Sequence, residues 1–293
     1  MYLWRSVLKL THNDYYTTIG TGPEWKVQLQ PCSKKIIEDY HKELRNAARI
    51  IYDSVSSPIT LLYSGGLDSE FMLQIFLKEK IPFKTAIISY GDYNAHDTEY
   101  AFDFCESHGI IPIMVDIDID DFIKSGRIYD IANSVNCCAY QMPSIMAGLE
   151  KLDGTVIMAN GEPYLKNIDN IWKYEETERV NSYMHWYRQN SIDGTPDFLR
   201  YTPEATLAFL REPRVQELIL NKHPGKLSTR TSKHMIYSKN YLFRPRPKFT
   251  GWEKIEKQDY FREVYDMFSE LRKKHNGVFT LDSHQLIQIL AKG

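Results

Sequence analysis

Cysteine is scarce: four in 293 residues, with Cys32 and Cys105 isolated and Cys137 and Cys138 adjacent. No CxxC pair exists, so neither a disulfide framework nor a zinc tetrad is expected, and the setting reads as reduced and cytoplasmic. No apolar run approaches the ~20 residues that cross a bilayer, so no membrane partner is expected. The opening stretch "MYLWRSVLKLTHNDYYTT" lacks the apolar core and small-residue cleavage site of a secretory signal. Internal repeats, low-complexity tracts and the GK[ST] of a Walker loop are also missing. Two stretches lack charge of one sign. Thr85 to Ile123 holds nine Asp/Glu and no Lys or Arg, and Lys222 to Lys248 holds eight Lys/Arg and no Asp or Glu. Either these are solvated faces of opposite sign or the basic one closes over phosphates. The net charge of -2 argues against broad nucleic-acid binding and leaves a local contact open.

What is present is an ordinary globular composition, 43% hydrophobic and 25% charged. "EWKVQLQP" alternates as an edge strand or hairpin, and Ser33 to about Ser54 keeps helical spacing. From Pro58 the pattern alternates. "ITLLY", "FKTAIISY", "IIPIMVDI" and "GTVIMA" read as strands. "EFMLQIFLKEK", "DTEYAFDFCESHG", "DDFIKSGRIYDIANS" and "MPSIMAGLEKL" read as helices. Such alternation predicts an α/β fold, a parallel twisted sheet with helices on both faces, whose ligands gather at the carboxyl ends of the strands. After about Asn170 the sequence turns to Trp/Tyr-rich helical segments, with Thr202 and Pro203 as a helix start. Trp172, Tyr174, Tyr183, Trp186 and Tyr187 are assigned to the core or a pocket, core preferred. The expected division is 1–57, a strand or hairpin and helix packed on the core; 58–170, the α/β domain; and 171–293, a mainly helical region.

Between the first strand and its helix lies "SGGLDS", residues 64–69. Gly65 and Gly66 offer bare N–H groups, Ser64 and Ser69 add hydroxyls, and the following helix points its positive end at the turn. That is a nest for a polyphosphate. Asp68 would repel an anion unless a cation bridges them, which suggests Mg²⁺ shared between carboxylate and phosphate oxygens.

This string resembles the pyrophosphate loop of the N-type ATP pyrophosphatases, and its sequel is most similar to the synthetase domain of asparagine synthetase and β-lactam synthetase. The likeness runs from about Ile59 to Tyr164 and weakly to about Glu253. It implies the adenine nucleotide alpha hydrolase-like fold, with ATP and Mg²⁺ as cofactors. Ser64, Gly65, Gly66, Asp68 and Ser69 would then bind the β- and γ-phosphates, with Asp68 as metal ligand. Ile88 to Tyr90 would lie along the adenosine. In "VIMANGEPYLKN", Asn160 and Gly161 fall where the family touches the adenylate, and Glu162 falls on its catalytic glutamate, a general base. Pro163 replaces a glycine, and Leu165 and Lys166 stand in place of the family's Asp-Glu pair. Asp68 and Glu162 then suffice for the metal, or Asp169 substitutes, or metal use is altered. "RPRPKFTGWE" resembles the family's late R-x-K stretch, making Lys248 the phosphate-side lysine, with Arg244 and Arg246 as helpers. His96 and Asp97 resemble the loop after the second strand and receive no catalytic role. Cys137 and Cys138 are read as structural.

The activity this implies is an ATP-dependent, AMP-forming ligase. An acceptor oxygen is adenylated, pyrophosphate leaves, and a nitrogen nucleophile displaces AMP. Residues 1–57 are too short for the glutaminase domain of asparagine synthetase, so the nitrogen donor is expected to be free, partner-supplied or another amine. Two alternatives stand beside this small-molecule reading. One is modification of tRNA or a nucleobase, and the other is a nucleotide-binding module without turnover.

Overall fold

The computed structural model describes residues 16–19, 26–33, 36–221, 228–229, 232–244, 250–275 and 277–292. Strands β1 (Tyr16–Ile19) and β2 (Lys26–Leu29) pair antiparallel ahead of helix α1 (Tyr40–Ser54). The helical spacing at residues 36–39 does not form helix. Asp39 takes the N-cap position, its carboxylate accepting from the Lys42 N–H, and leaves Ile36 exposed.

The alternating segment becomes β3 (Ile59–Leu62), α2 (Leu67–Lys78), β4 (Lys84–Ser89), α3 (Ala95–Ser107), β5 (Ile113–Asp116), α4 (Ile119–Lys124), α5 (Arg127–Ser134), α6 (Met142–Leu149) and β6 (Thr155–Ile157). The stretch "DDFIKSGRIYDIANS" is helical as expected, in two helices, because Gly126 between them takes a left-handed φ of 83° that an α-helix does not admit.

Beyond β6 come β7 (Leu165–Ile168), β8 (Ile171–Thr177), α7 (Glu178–Gln189), β9 (Gly194–Thr195), α8 (Pro203–Leu210), α9 (Pro213–Asn221), α10 (Lys233–Tyr237), α11 (Trp252–Ile255), α12 (Phe261–His275), β10 (Val278–Asp282) and α13 (Ser283–Leu290). The C-terminal part is mainly helical, as expected, but it also contributes strands. β10, β8 and β7 form an antiparallel sheet, and β9 joins the main sheet. Thr202 caps α8 as anticipated, its side chain accepting from the Ala205 N–H.

The main sheet has five parallel strands in the order β5-β4-β3-β6-β9. Successive residues of each strand serve opposite faces. Leu61, Ile87 and Ile157 join the core under α1, α2 and α8. Leu62, Ile88 and Val156 join the core under α4 to α7 and α12. Tyr174 and Trp172 belong to the first core, and Tyr183, Trp186 and Tyr187 to the second, so all five aromatics are packing residues. Cys137 and Cys138 are buried, and burial pushes both thiols up to about 12. Among the described residues, no helix is long and apolar enough to cross a membrane.

The chain walks outward from β3 through β4 to β5, then returns to the other side of β3 as β6. The strand order therefore reverses between β3 and β6. A reversal of this kind leaves a crevice between the loops at the carboxyl ends of the two strands, the position where open parallel sheets hold ligands.

Candidate active site

The loops flanking that crevice are residues 63–66 after β3 and 158–164 after β6. Gly65 has φ 77°, and a Cβ there would collide with the Asp97 carbonyl at the start of α3. Only glycine lets the turn lie this close to the neighbouring helix. Gly66 is the N-cap of α2 and supplies no capping side chain, so the first-turn N–H groups of Leu67, Asp68 and Ser69 have no intrahelical acceptor. Ser69 Oγ donates to the Gly66 carbonyl at 3.0 Å and lies 3.1 Å from Ser64 Oγ, which in turn accepts from the Gly66 N–H at 3.3 Å. The two hydroxyls thus brace the turn, while the positive end of α2 faces outward. A buried carboxylate, Glu70, receives the Tyr63 hydroxyl at 3.0 Å and fixes the strand-to-helix corner from behind.

Asp68 and Glu162, 94 positions apart by their numbers, converge on one cation. Lys233 Nζ lies 2.7 Å from Asp68 Oδ2 and 3.5 Å from Glu162 Oε2. One helical turn further along α10, the Tyr237 hydroxyl donates to Asp68 Oδ1 at 2.9 Å, and its ring stacks on Phe71 with centroids 4.2 Å apart. Glu162 is only 5% exposed, and among the described residues its Oε1 has no hydrogen-bond partner. Burial raises its pKa above the usual carboxylate range. Lys233 opposes that shift and Asp68 adds to it. Burial alone would lower the Lys233 pKa, but the Asp68 and Glu162 carboxylates outweigh it, so the pKa is raised and the ammonium stays charged.

Gly161, with φ 107°, turns the chain into Glu162, and Asn160 beside it is exposed at the crevice rim. Beneath this loop, Ala159 pairs with Asp197. Asp197 shares the buried Arg200 guanidinium with Glu176, at 2.8 and 2.5 Å, so a buried ion group underlies the loop that carries Glu162.

The remaining expected site residues lie elsewhere. Ile88 and Tyr90 stand at the carboxyl end of β4, but both side chains are core residues. Ile88 packs against Gly148 and the Tyr90 hydroxyl pairs with Ser144 at 2.9 Å. Asn94 occupies the nearby main chain, accepting from the Tyr90 N–H and donating to the Ile88 carbonyl. Arg244 pairs with Asp103 and stacks on Tyr100, both on α3. Arg246 and Lys248 lie outside the described residues. Leu165 is buried in the first core, Lys166 pairs with Glu175 at 3.5 Å, and Asp169 is at the exposed tip of the β7–β8 hairpin. Lys233 and Tyr237 carried no motif. Their one signal was membership of the acid-free basic run.

Whether these residues fit Mg²⁺ turns on the acid pair. Among the described residues, no group of three or more His, Cys, Asp and Glu side chains could enclose a metal. Mg²⁺ does not require one, since one or two carboxylates suffice when phosphate oxygens and water complete the octahedron. Glu162 Oε1, without a hydrogen-bond partner among the described residues and near Asp68, is such a donor. The pair fits a metal that arrives with a phosphate ligand. No protein-family model matches the chain and no curated protein matches it, so its own residues carry the functional reading.

Proposed function

We propose that the chain is an ATP-dependent, AMP-forming ligase with the adenine nucleotide alpha hydrolase-like fold of the N-type ATP pyrophosphatases. One observation carries this reading. Asp68, in the first turn of α2 after β3, and Glu162, in the loop after β6, meet at Lys233 beside an uncapped helix N-terminus. An anion nest, a metal-competent acid pair and a lysine ammonium in one crevice match a reaction in which a polyphosphate leaves.

In this reading the amides of Gly65 to Ser69 and the hydroxyls of Ser64 and Ser69 bind the β- and γ-phosphates. The bond from an acceptor oxygen to the α-phosphorus forms as the bond to pyrophosphate breaks. Lys233 neutralises charge on the phosphates, and Lys248 keeps the similar role that the resemblance gives it. Asp68 and Glu162 would hold Mg²⁺, which supplies charge neutralisation at the phosphate oxygens. When a nitrogen nucleophile displaces AMP from the adenylated acceptor, Glu162 takes its proton. Its place in the crevice, buried beside Asp68 and Lys233, is what supports that role.

The test is product analysis with ATP, Mg²⁺, ammonium and pooled amino and other carboxylic acids, with Asp68→Ala as control. AMP and pyrophosphate that require both Asp68 and one acid pool support the ligase, whereas ADP and phosphate rule it out. A nucleotide-binding protein without turnover is the second reading. It is favoured by the buried Leu165 and by Lys166, paired to Glu175, at the positions of the family's acids. ATP binding with no AMP from any pool, tRNA included, selects it.

A further inference from the structure

We propose that Lys233 is the resident cation of the Asp68–Glu162 pair and that, in the nucleotide-free protein, its ammonium bars free divalent metal from those carboxylates. The inference deepens the proposed use of this crevice. It rests on that reading for the purpose of the metal, but not for the competition itself.

The argument is geometric. A Mg²⁺ or Mn²⁺ ion bound to both carboxylates would sit about 2.1 Å from an oxygen of each. Lys233 Nζ already lies between those groups, 2.7 Å from Asp68 Oδ2 and 3.5 Å from Glu162 Oε2. Two cations cannot share that gap, because their repulsion adds to the loss of oxygen ligands. Neither side chain of the pair is well solvated: Asp68 is 24% and Glu162 4% exposed, so the ammonium supplies compensation that water does not.

The lysine is also built to leave without unfolding its surroundings. Helix α10 is pinned through Tyr237, whose hydroxyl holds Asp68 Oδ1 and whose ring stacks on Phe71. The anchor and the ammonium are therefore separate side chains. Rotation of the four-carbon lysine stem frees the gap while α10 stays docked, and a polyphosphate in the neighbouring nest offers the ammonium its next partner. Metal would then enter with the nucleotide and not before it, because one ligand draws away the cation that excludes the other. Lysine is suited to this exchange, since it is a point charge without the rigid fork that commits arginine to one carboxylate.

The test uses Mn²⁺ alone, read by the loss of free-ion signal in electron paramagnetic resonance, on the full chain. The expected result is no Asp68-dependent Mn²⁺ binding in the wild type, and one bound ion per chain in Lys233→Met. The Kd of that variant should be at least about tenfold below any wild-type value, the effect of one neighbouring charge removed. The double variant Asp68→Asn/Lys233→Met should lose the ion. Wild-type protein that binds Mn²⁺ as tightly as Lys233→Met, with loss on Asp68→Asn, overturns the proposal, and so does a folded Lys233→Met that binds none. If Lys233→Met does not fold, as judged by circular dichroism, Lys233→Gln takes its place, and the wild-type arm still decides against the proposal if it binds free metal through Asp68. An added ATP arm separates the two claims. Failure of ATP to recruit Mn²⁺ to the wild type counts against the nucleotide reading and leaves the metal-alone result standing.

Discussion

Replacing Gly65 with alanine, and separately Gly66 with alanine, makes a controlled pair, because the two residues are adjacent in one turn but differ in backbone. Gly65 has φ 77°, and its added Cβ would strike the main-chain carbonyl of Asp97. Left-handed backbone costs alanine about 1–2 kcal/mol. Displacing a packed helix end adds roughly 1–3 kcal/mol, the range for overfilled interiors. A more restricted unfolded chain returns about 0.4–1 kcal/mol, so the net loss is about 1–4.5 kcal/mol, and about 3 at the middle of the ranges. Gly66 has φ -78° and ψ 159°, open to any residue, and its added Cβ would meet the Ser64 hydroxyl at 3.1 Å, a group that can rotate, and the Ser69 hydroxyl at 3.9 Å, an ordinary contact. Alanine is a poorer N-cap than glycine by a few tenths to about 1 kcal/mol, and the unfolded-state gain offsets it. The expected change at Gly66 is within about 0.5 kcal/mol of zero. Urea unfolding followed by tryptophan fluorescence measures both, with equal slopes as the check that one transition is being compared. Losses within about 0.5 kcal/mol of each other would refute the claim that the turn is held against α3 through Gly65.

Arg200→Met should destabilise the protein by about 3–5 kcal/mol in urea unfolding, because Glu176 and Asp197 remain buried without their shared guanidinium. Thr202→Ala should cost about 1 kcal/mol in the same assay through loss of the hydrogen bond from the Ala205 N–H at the start of α8. His41 is fully buried, and its Nε2 donates to the Ile236 carbonyl at 2.7 Å, which leaves Nδ1 without a partner among the described residues. Burial holds its pKa below the ordinary histidine value. The folded state therefore binds fewer protons than the unfolded chain in that window. His41 contributes stability that is complete above about pH 6.5 and lost as pH falls through the lowered value, by up to about 1.4 kcal/mol per pH unit. Stability measured from pH 7.5 to 5 should show that slope in the wild type and a shallower one in His41→Gln.

The sheet that frames the crevice was legible because its strands are short apolar runs, such as "ITLLY" and "GTVIMA", each bounded by a turn signal. The β7–β8 hairpin was missed although its signal is present. Asp169 and Asn170 both take positive φ in a two-residue turn, and Trp172, Tyr174 and Glu176 alternate into the interior. Lysine, asparagine and glutamate in those strands masked the alternation, and Glu176 faces inward because Arg200 meets it there. The start of α1 was misplaced for a similar reason. Helical spacing continues through Ile36 and Ile37, but the Asp39 cap decides where hydrogen bonding begins.

At the site, the nest was readable because all its parts lie within six residues. Asp68 and Glu162 were found through a resemblance, whereas Lys233 was not found, because its partner is 165 positions away and no local pattern records that distance. The basic run from Lys222 to Lys248 did contain it. Charge in the sequence marked only the segment, and the folded chain distinguishes Lys233, on a helix pinned to Asp68, from Lys239 two residues past its end.

The central claim is that the turn from Ser64 to Ser69 holds the two phosphates that leave together. Calorimetric titration with Mg²⁺ and each of ATP, pyrophosphate and AMP tests it without knowledge of the acceptor. ATP and pyrophosphate should bind and compete, AMP should bind far more weakly, and Ser64→Ala/Ser69→Ala should weaken the first two together. Binding of AMP without pyrophosphate, or ATP affinity unchanged by loss of both hydroxyls, would contradict the account.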